Sequence, residues 1–209
     1  MIRLFLVLAL TGTAHAADLR VTVRDEQGRP VPDAVVVALP EAGAPRPAPG
    51  RADAIEQIDL EFVPGVKAIQ VGTAVSFPNR DNVRHHVYSF SPPKRFELPL
   101  YAGTPAKPVV FDVPGVVTIG CNIHDWMVGY IYVSESPYFA TTSAQGSAQM
   151  AGLPAGQYLM RVWHPQLAAA EESRRSLGAA ESAALEWRIS LKPERRVRRA
   201  PAAGRGSRY

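Results

Sequence analysis

Residues 116–133 read Val116-Val-Thr-Ile-Gly-Cys-Asn-Ile-His-Asp-Trp-Met-Val-Gly-Tyr-Ile-Tyr-Val133. Apolar and β-branched residues at Val116–Ile119 and again at Val128–Val133 predict two strands. The residues between them, Gly120 to Met127, form a tight connection carrying Cys121, His124 and Met127 in a Cys-x2-His-x2-Met spacing. Upstream, Val75-Ser-Phe-Pro-Asn-Arg-Asp-Asn-Val-Arg-His-His-Val87 gives a second strand, loop and strand, with His85 and His86 at its far end. Two loops at one end of a β-sandwich can bring such side chains around a single point. Strand alternation sends His85 and His86 to opposite faces, so only one of them reaches that point.

Two imidazoles, a thiolate and a thioether are the donors of a blue-copper electron-transfer site. Thiolate and thioether suit the reduced ion, and imidazole suits both oxidation states. The chain has a single cysteine, which excludes an internal disulfide framework and any multi-cysteine zinc site. A thiol kept in an oxidising compartment needs a reason, and metal ligation is one. A cysteine nucleophile paired with His124 has no orienting third group in the sequence.

Working outward, about eight short strands crowd residues 55–137, enough for a small Greek-key sandwich. They are expected at Ile55–Leu60, Val66–Val71, Ala74–Phe77, His85–Phe90, Phe96–Leu98, Val109–Val113, Val116–Ile119 and Val128–Val133. In the flanks, Leu19–Val23 alternates, Ala34–Leu39 is a second strand, and Gln157–Trp163 and Leu185–Leu191 are further ones. Gln166 to Ala183, rich in alanine and glutamate, reads as a helix or a loop. Pro40 to Arg51, rich in Pro, Ala and Gly, reads as a linker. Nineteen prolines in 209 residues argue against long helices. The fold class is therefore all-β.

The ends of the chain carry labels of their own. Arg3, the apolar run Leu4–Leu10 and Ala14-His-Ala16 have the pattern of a cleaved signal peptide over residues 1–16, which directs the chain to a periplasm. No stretch is long enough to span a bilayer core of about 30 Å. The net charge of +4 divides unevenly: residues 192–209 hold seven basic residues against Glu194, and residues 17–191 are net negative. That basic tail lacks the apolar residues to fold and reads as a disordered, solvated extension, without aromatics or a motif for nucleic acid.

At Cys121–Met127 the chain resembles the cupredoxins, with the short ligand loop of the amicyanin type. With Phe90-Ser-Pro-Pro-Lys-Arg-Phe-Glu-Leu-Pro-Leu-Tyr101 and Trp163-His-Pro165, it is similar to the methylamine-utilisation cupredoxins of the MauL-like group. The resemblance implies one mononuclear type 1 copper held by His85, Cys121, His124 and Met127. It also implies electron transfer with redox partner proteins, a dehydrogenase or a cytochrome, in amine oxidation. His86 stands where the family carries an asparagine that ties the ligand loops together, and it remains the alternative ligand. Asn79 and His86 are placed around the metal, and Trp126 either forms a docking rim beside His124 or packs over the copper. His164 reads as structural.

The flanks resemble carboxypeptidase-regulatory-like, transthyretin-like modules, through Val23-Arg-Asp-Glu-Gln-Gly-Arg-Pro-Val-Pro-Asp-Ala34 and Leu153-Pro-Ala-Gly-Gln-Tyr158. The expected organisation is a β-sandwich split between residues 17–54 and 138–191, with a cupredoxin domain at 55–137 inserted in it. No catalytic residue is expected. Copper delivery or storage, and an interaction module that copper only staples, are the competing functions.

Overall fold

The computed structural model describes residues 16–45, 50–105, 107–179 and 181–193, and every regular element among them is a strand. The expected signal peptide and basic tail lie outside the described residues, apart from Ala16, Lys192 and Pro193. The first flank supplies β1 (Ala17–Asp25) and β2 (Val35–Pro40). The middle supplies β3 (Ala52–Ala54), β4 (Glu56–Ile58), β5 (Glu61–Val63), β6 (Val66–Gln70) and β7 (Thr73–Ser76). It continues with β8 (His85–Ser89), β9 (Phe96–Tyr101), β10 (Val109–Phe111), β11 (Gly115–Cys121) and β12 (His124–Ser134). The second flank supplies β13 (Phe139–Thr141), β14 (Ser147–Leu153), β15 (Gly156–Trp163), β16 (Glu171–Leu177) and β17 (Ser182–Ile189).

The two flanks share one core. In β1 the residues Ala17, Leu19, Val21 and Val23 are buried while Asp18, Arg20, Thr22 and Arg24 alternate outward, the period-2 pattern of a half-buried strand. β1 is central in a three-stranded sheet, antiparallel to β14 and parallel to β17, with registers from Asp18↔Ser182 to Asp25↔Ile189. The facing sheet runs β13-β2-β15-β16. Leu19, Val21 and Val23 of one sheet meet Tyr158, Met160 and Val162 of the other in a single apolar cluster.

A second sandwich lies in the middle of the chain. The sheet β6-β12-β11-β8-β9 faces the sheet β10-β7-β3, and Phe77, Phe111, Ile119 and Ile131 fill the space between. β3 pairs in parallel with β7 from Ala52↔Ala74, so this sandwich takes in residues from 52 onward. The hairpin β4–β5 lies beside it, with Gln57 N–H bonded to Pro78 O at 2.9 Å.

β2 explains how the two sandwiches meet. Its run Val35-Val-Val-Ala38 is buried on both faces, as an unbroken apolar strand should be. Val36 and Ala38 enter the flanking core, whereas Val35 and Val37 pack with Val66 and Tyr132 of the middle sandwich. Trp163 joins them, its ring centroid 5.9 Å from Tyr130 and 5.8 Å from Tyr132. Arg161 adds a polar clasp, with Nη1 3.0 Å from Glu135 and Nε 2.8 Å from Glu172.

One sequence expectation is corrected here. Residues 166–183 do not form a helix or a plain loop: β16 pairs antiparallel with β15 from Gly156↔Leu177 to Val162↔Glu171. It is the edge of its sheet, and its charged residues on both faces are what keep an exposed edge from pairing with another chain. That same polarity erases the alternation by which a strand is read.

Candidate metal centre

The local register of β11 and β12 brings the donors together. Ile119 pairs with Gly129 and Gly120 with Val128, but Cys121 pairs with His124, so the ladder jumps by three extra residues. Such a bulge bends its strand and re-aims side chains. Cys121 becomes the last residue of β11 and His124 the first of β12, leaving Asn122 and Ile123 at the tip. The connection is thus tighter than the sequence implied, because both strands run into it. Met127 turns inward and shares the buried apolar cluster with Cys121.

The fourth donor arrives from β8. His85, Val87 and Ser89 are buried and His86 and Tyr88 face the other way. β8 is held against β11 at Gly120↔Tyr88. His85 is 0% exposed, and its Nδ1 stands 3.8 Å from Cys121 Sγ. His124 Nδ1 stands 3.6 Å from the same sulfur. The two imidazole rings lie 5.0 Å apart, edge to face. His86 is on the opposite face, its Nε2 3.0 Å from Glu97 Oε1 in a close approach that lacks good hydrogen-bond alignment. The geometry thus brings His85, not His86, to Cys121.

These separations fit a shared ion. Metal–nitrogen and metal–sulfur bonds of about 2.0–2.3 Å, at angles between tetrahedral and trigonal, hold the two donors about 3.5–3.8 Å apart. Among the described residues, His85, Cys121 and His124 form the group of donors of this kind, all within 4.8 Å of one another. Their softness selects copper: a thiolate with two imidazoles and a nearby thioether is a type 1 copper set, and carboxylate-rich hard-cation chemistry is not what faces the sulfur. His85, Cys121 and Met127 are all under 5% exposed, so water is kept from three of the four donors.

A carboxylate that the sequence reading did not single out supports His85. Asp81 Oδ2 lies 2.7 Å from His85 Nε2. The same carboxylate accepts from the backbone N–H of Asp59 at 2.8 Å and of Leu60 at 3.0 Å. Burial alone would push the Asp81 carboxyl up, but the His85 hydrogen bond and those two N–H groups outweigh it and hold it below the usual carboxylate range. Its position four residues before His85 was visible, but the hairpin that grips it was not. Asn79 shapes the same loop: Nδ2 donates to Val83 O at 2.7 Å and Tyr101 O at 3.1 Å, and Oδ1 accepts from Asp81 N at 2.9 Å.

Trp126 packs beside His124, with ring centroids 5.4 Å apart. It lines a recess of about 260 Å³ together with Asp33, Glu61, Phe62 and Val63. Ile123, at the tip, is 48% exposed. His164 lies after β15, where its Nδ1 accepts from Gln166 N at 3.2 Å, and it does not join the donor group.

No family model matches the chain, and no curated protein does. Solved structures do resemble it in part. A purple cupredoxin from Nitrosopumilus maritimus is 28% identical, with 39% of this chain and 99% of that one covered and a TM-score of 0.36. A copper-containing nitrite reductase from Thermus scotoductus is 26% identical, with a TM-score of 0.38. That match covers 55% of this chain and only 28% of the reductase. The Cu(I) form of an amicyanin mutant is 17% identical over 49% of this chain and 99% of its own, with a TM-score of 0.37. The assignment of the metal rests on the donor geometry.

Proposed function

We propose that the chain is a periplasmic type 1 copper protein that carries single electrons between redox partner proteins. One observation carries this reading: Cys121 Sγ is flanked by two imidazole Nδ1 atoms at 3.8 and 3.6 Å inside an apolar shell. Bound copper would supply the one-electron couple. His85, Cys121 and His124 would hold it, with the Met127 thioether as a further, weaker donor. The protein's part is to keep that arrangement unchanged between oxidation states. Strands β8, β11 and β12 belong to one sheet, so the donors ride on a common rigid frame.

His124 supplies the route outward. It is half-buried, with Trp126 against its ring and exposed Ile123 beside it, whereas His85 is fully enclosed. The reading assigns no catalytic residue. The resemblance of the ligand loop, with Phe90–Tyr101 and Trp163–Pro165, to methylamine-utilisation cupredoxins supports a dehydrogenase or a cytochrome as redox partner, in amine oxidation. Residues 1–16 support export.

The test is to load the purified protein with Cu(II). The expected result is an intense thiolate-to-copper absorption band that bleaches and returns on reversible one-electron reduction. Copper bound without colour would favour delivery or storage, and no binding would overturn the metal reading altogether.

A further inference from the structure

Asp81 sits at a crossing of three segments: the loop before β8, the turn of the β4–β5 hairpin, and His85 itself. A carboxylate accepts hydrogen bonds and donates none, so the His85 nitrogen 2.7 Å from Asp81 Oδ2 carries the ring proton. That nitrogen is Nε2. A neutral imidazole has one N–H, and the lone pair is therefore on Nδ1, the atom that faces Cys121 Sγ at 3.8 Å.

The hairpin turn is built around this carboxylate. Asp59 and Leu60 have φ of 54° and 63°, a left-handed conformation that branched or bulky residues rarely adopt. In it their two successive N–H groups point to one anion, a concave backbone nest. Both go to Asp81. The loop is tied to the hairpin a second time by Arg80, whose N–H donates to Gln57 O at 2.9 Å and whose guanidinium grips Glu56 at 2.8 Å. An unfavourable turn thus persists where it holds a carboxylate against a buried histidine.

We propose that Asp81 is a positioning residue: it fixes His85 in the tautomer that offers Nδ1 to the metal, and its charge favours the oxidised ion. The second half rests on the copper reading above; the first half does not. An outer carboxylate of this kind raises the basicity of the ligand imidazole, and its loss costs about 10–100-fold in metal affinity. A negative charge one ring away from the ion stabilises Cu(II) over Cu(I).

The test uses the full chain, without metal and with copper, and three variants. In the metal-free wild type, nitrogen-15 NMR should show His85 as the Nε2–H tautomer. Asp81→Leu should lose that tautomer and bind copper at least tenfold more weakly. Asp81→Asn keeps an acceptor but no charge; it should keep the tautomer and raise the reduction potential by about 59 mV, the equivalent of a tenfold change in the affinity ratio of a one-electron couple. Arg80→Ala loosens the same loop without touching His85 and should lower only the melting temperature. An Nδ1–H tautomer in the wild type, an unchanged tautomer in Asp81→Leu, an unmoved potential in Asp81→Asn, or an equal potential shift in Arg80→Ala would each overturn the proposal. A wild type that takes up no copper defeats the function proposed above, while the tautomer still decides the role of Asp81.

Discussion

Cys121 and His85 are 36 positions apart in sequence, yet Sγ and Nδ1 stand 3.8 Å apart in the interior. Two polar donors placed this way inside an apolar cluster gain most when an ion joins them. A ligand that binds only the folded state adds about 4 kcal/mol of stability when its free concentration is about a thousand times Kd. Copper should therefore raise the melting temperature of the wild type by a corresponding amount. Cys121→Ser should show neither the rise nor the colour while keeping the metal-free fold. Calorimetry with and without copper checks this, and an equal rise in the variant would remove Cys121 from the site.

Met127 serves two roles that separate by substitution. It is 1% exposed in the middle core, so Met127→Ala should cost about 2–5 kcal/mol through the cavity it leaves. Met127→Leu keeps the volume and should cost less than about 1.5 kcal/mol. Both remove the Met127 sulfur, which would tune the potential of a bound copper, so both should shift it. A potential unmoved by Met127→Leu would make Met127 plain core.

Gly129 faces Ile119 across the ladder, and the close fit there seats the hairpin that grips Asp81. A Cβ added to Gly129 would come within 3.1 Å of Phe62 Cβ and 3.2 Å of Ile119 Cδ1. Both neighbours are buried and cannot swing away. Gly129→Ala should destabilise by about 1–3 kcal/mol, read as a lower urea midpoint with an unchanged slope.

What could be read from the sequence follows the range of the interactions. The Cys121-x2-His124-x2-Met127 spacing lies within one strand connection, and alternation showed that only one of His85 and His86 could join it, without saying which. The alternating apolar pattern of Leu19–Val23 gave the flanking strand. Asp81 escaped notice because its meaning depends on the turn at Asp59 and Leu60, which approaches only in the folded chain. β16 escaped because an edge strand with both faces wet has no apolar period to show. The Val35–Ala38 run marked a strand, but its burial on both sides became intelligible only once Trp163 and Tyr132 were seen against it.

That shared interface makes the two sandwiches one cooperative unit in our reading. Trp163 is the large side chain between them, packed on Tyr130 and Tyr132. Trp163→Ala should cost about 3 kcal/mol, the lower end for a Trp because its ring is not fully enclosed. Calorimetry should then resolve two unfolding transitions where the wild type has one, with the copper colour following only the transition of the middle sandwich. A single transition in the variant would show that the remaining contacts, Val35 and Val37 on Val66 and Tyr132 and Arg161 on Glu135, suffice to keep the two coupled.

Tyr101 gives the chain an alkaline limit. Its hydroxyl donates to Phe77 O at 2.6 Å and accepts from Gln57 Nε2. Burial pushes its pKa up to about 12; the Gln57 hydrogen bond acts against this, and the charge of Cys121 adds to it. A group whose folded pKa lies above its unfolded value of about 10 contributes its full stability below pH 10. That contribution is lost as pH rises through 12, because the unfolded chain releases the proton first. Stability by urea titration should therefore fall between pH 10 and 12 more steeply in the wild type than in Tyr101→Phe, which has no proton to lose. At pH 8 the variant should be the weaker of the two by about 1 kcal/mol, the worth of one buried hydrogen bond. Parallel curves across the alkaline range would mean that Tyr101 ionises in the folded chain as freely as in water.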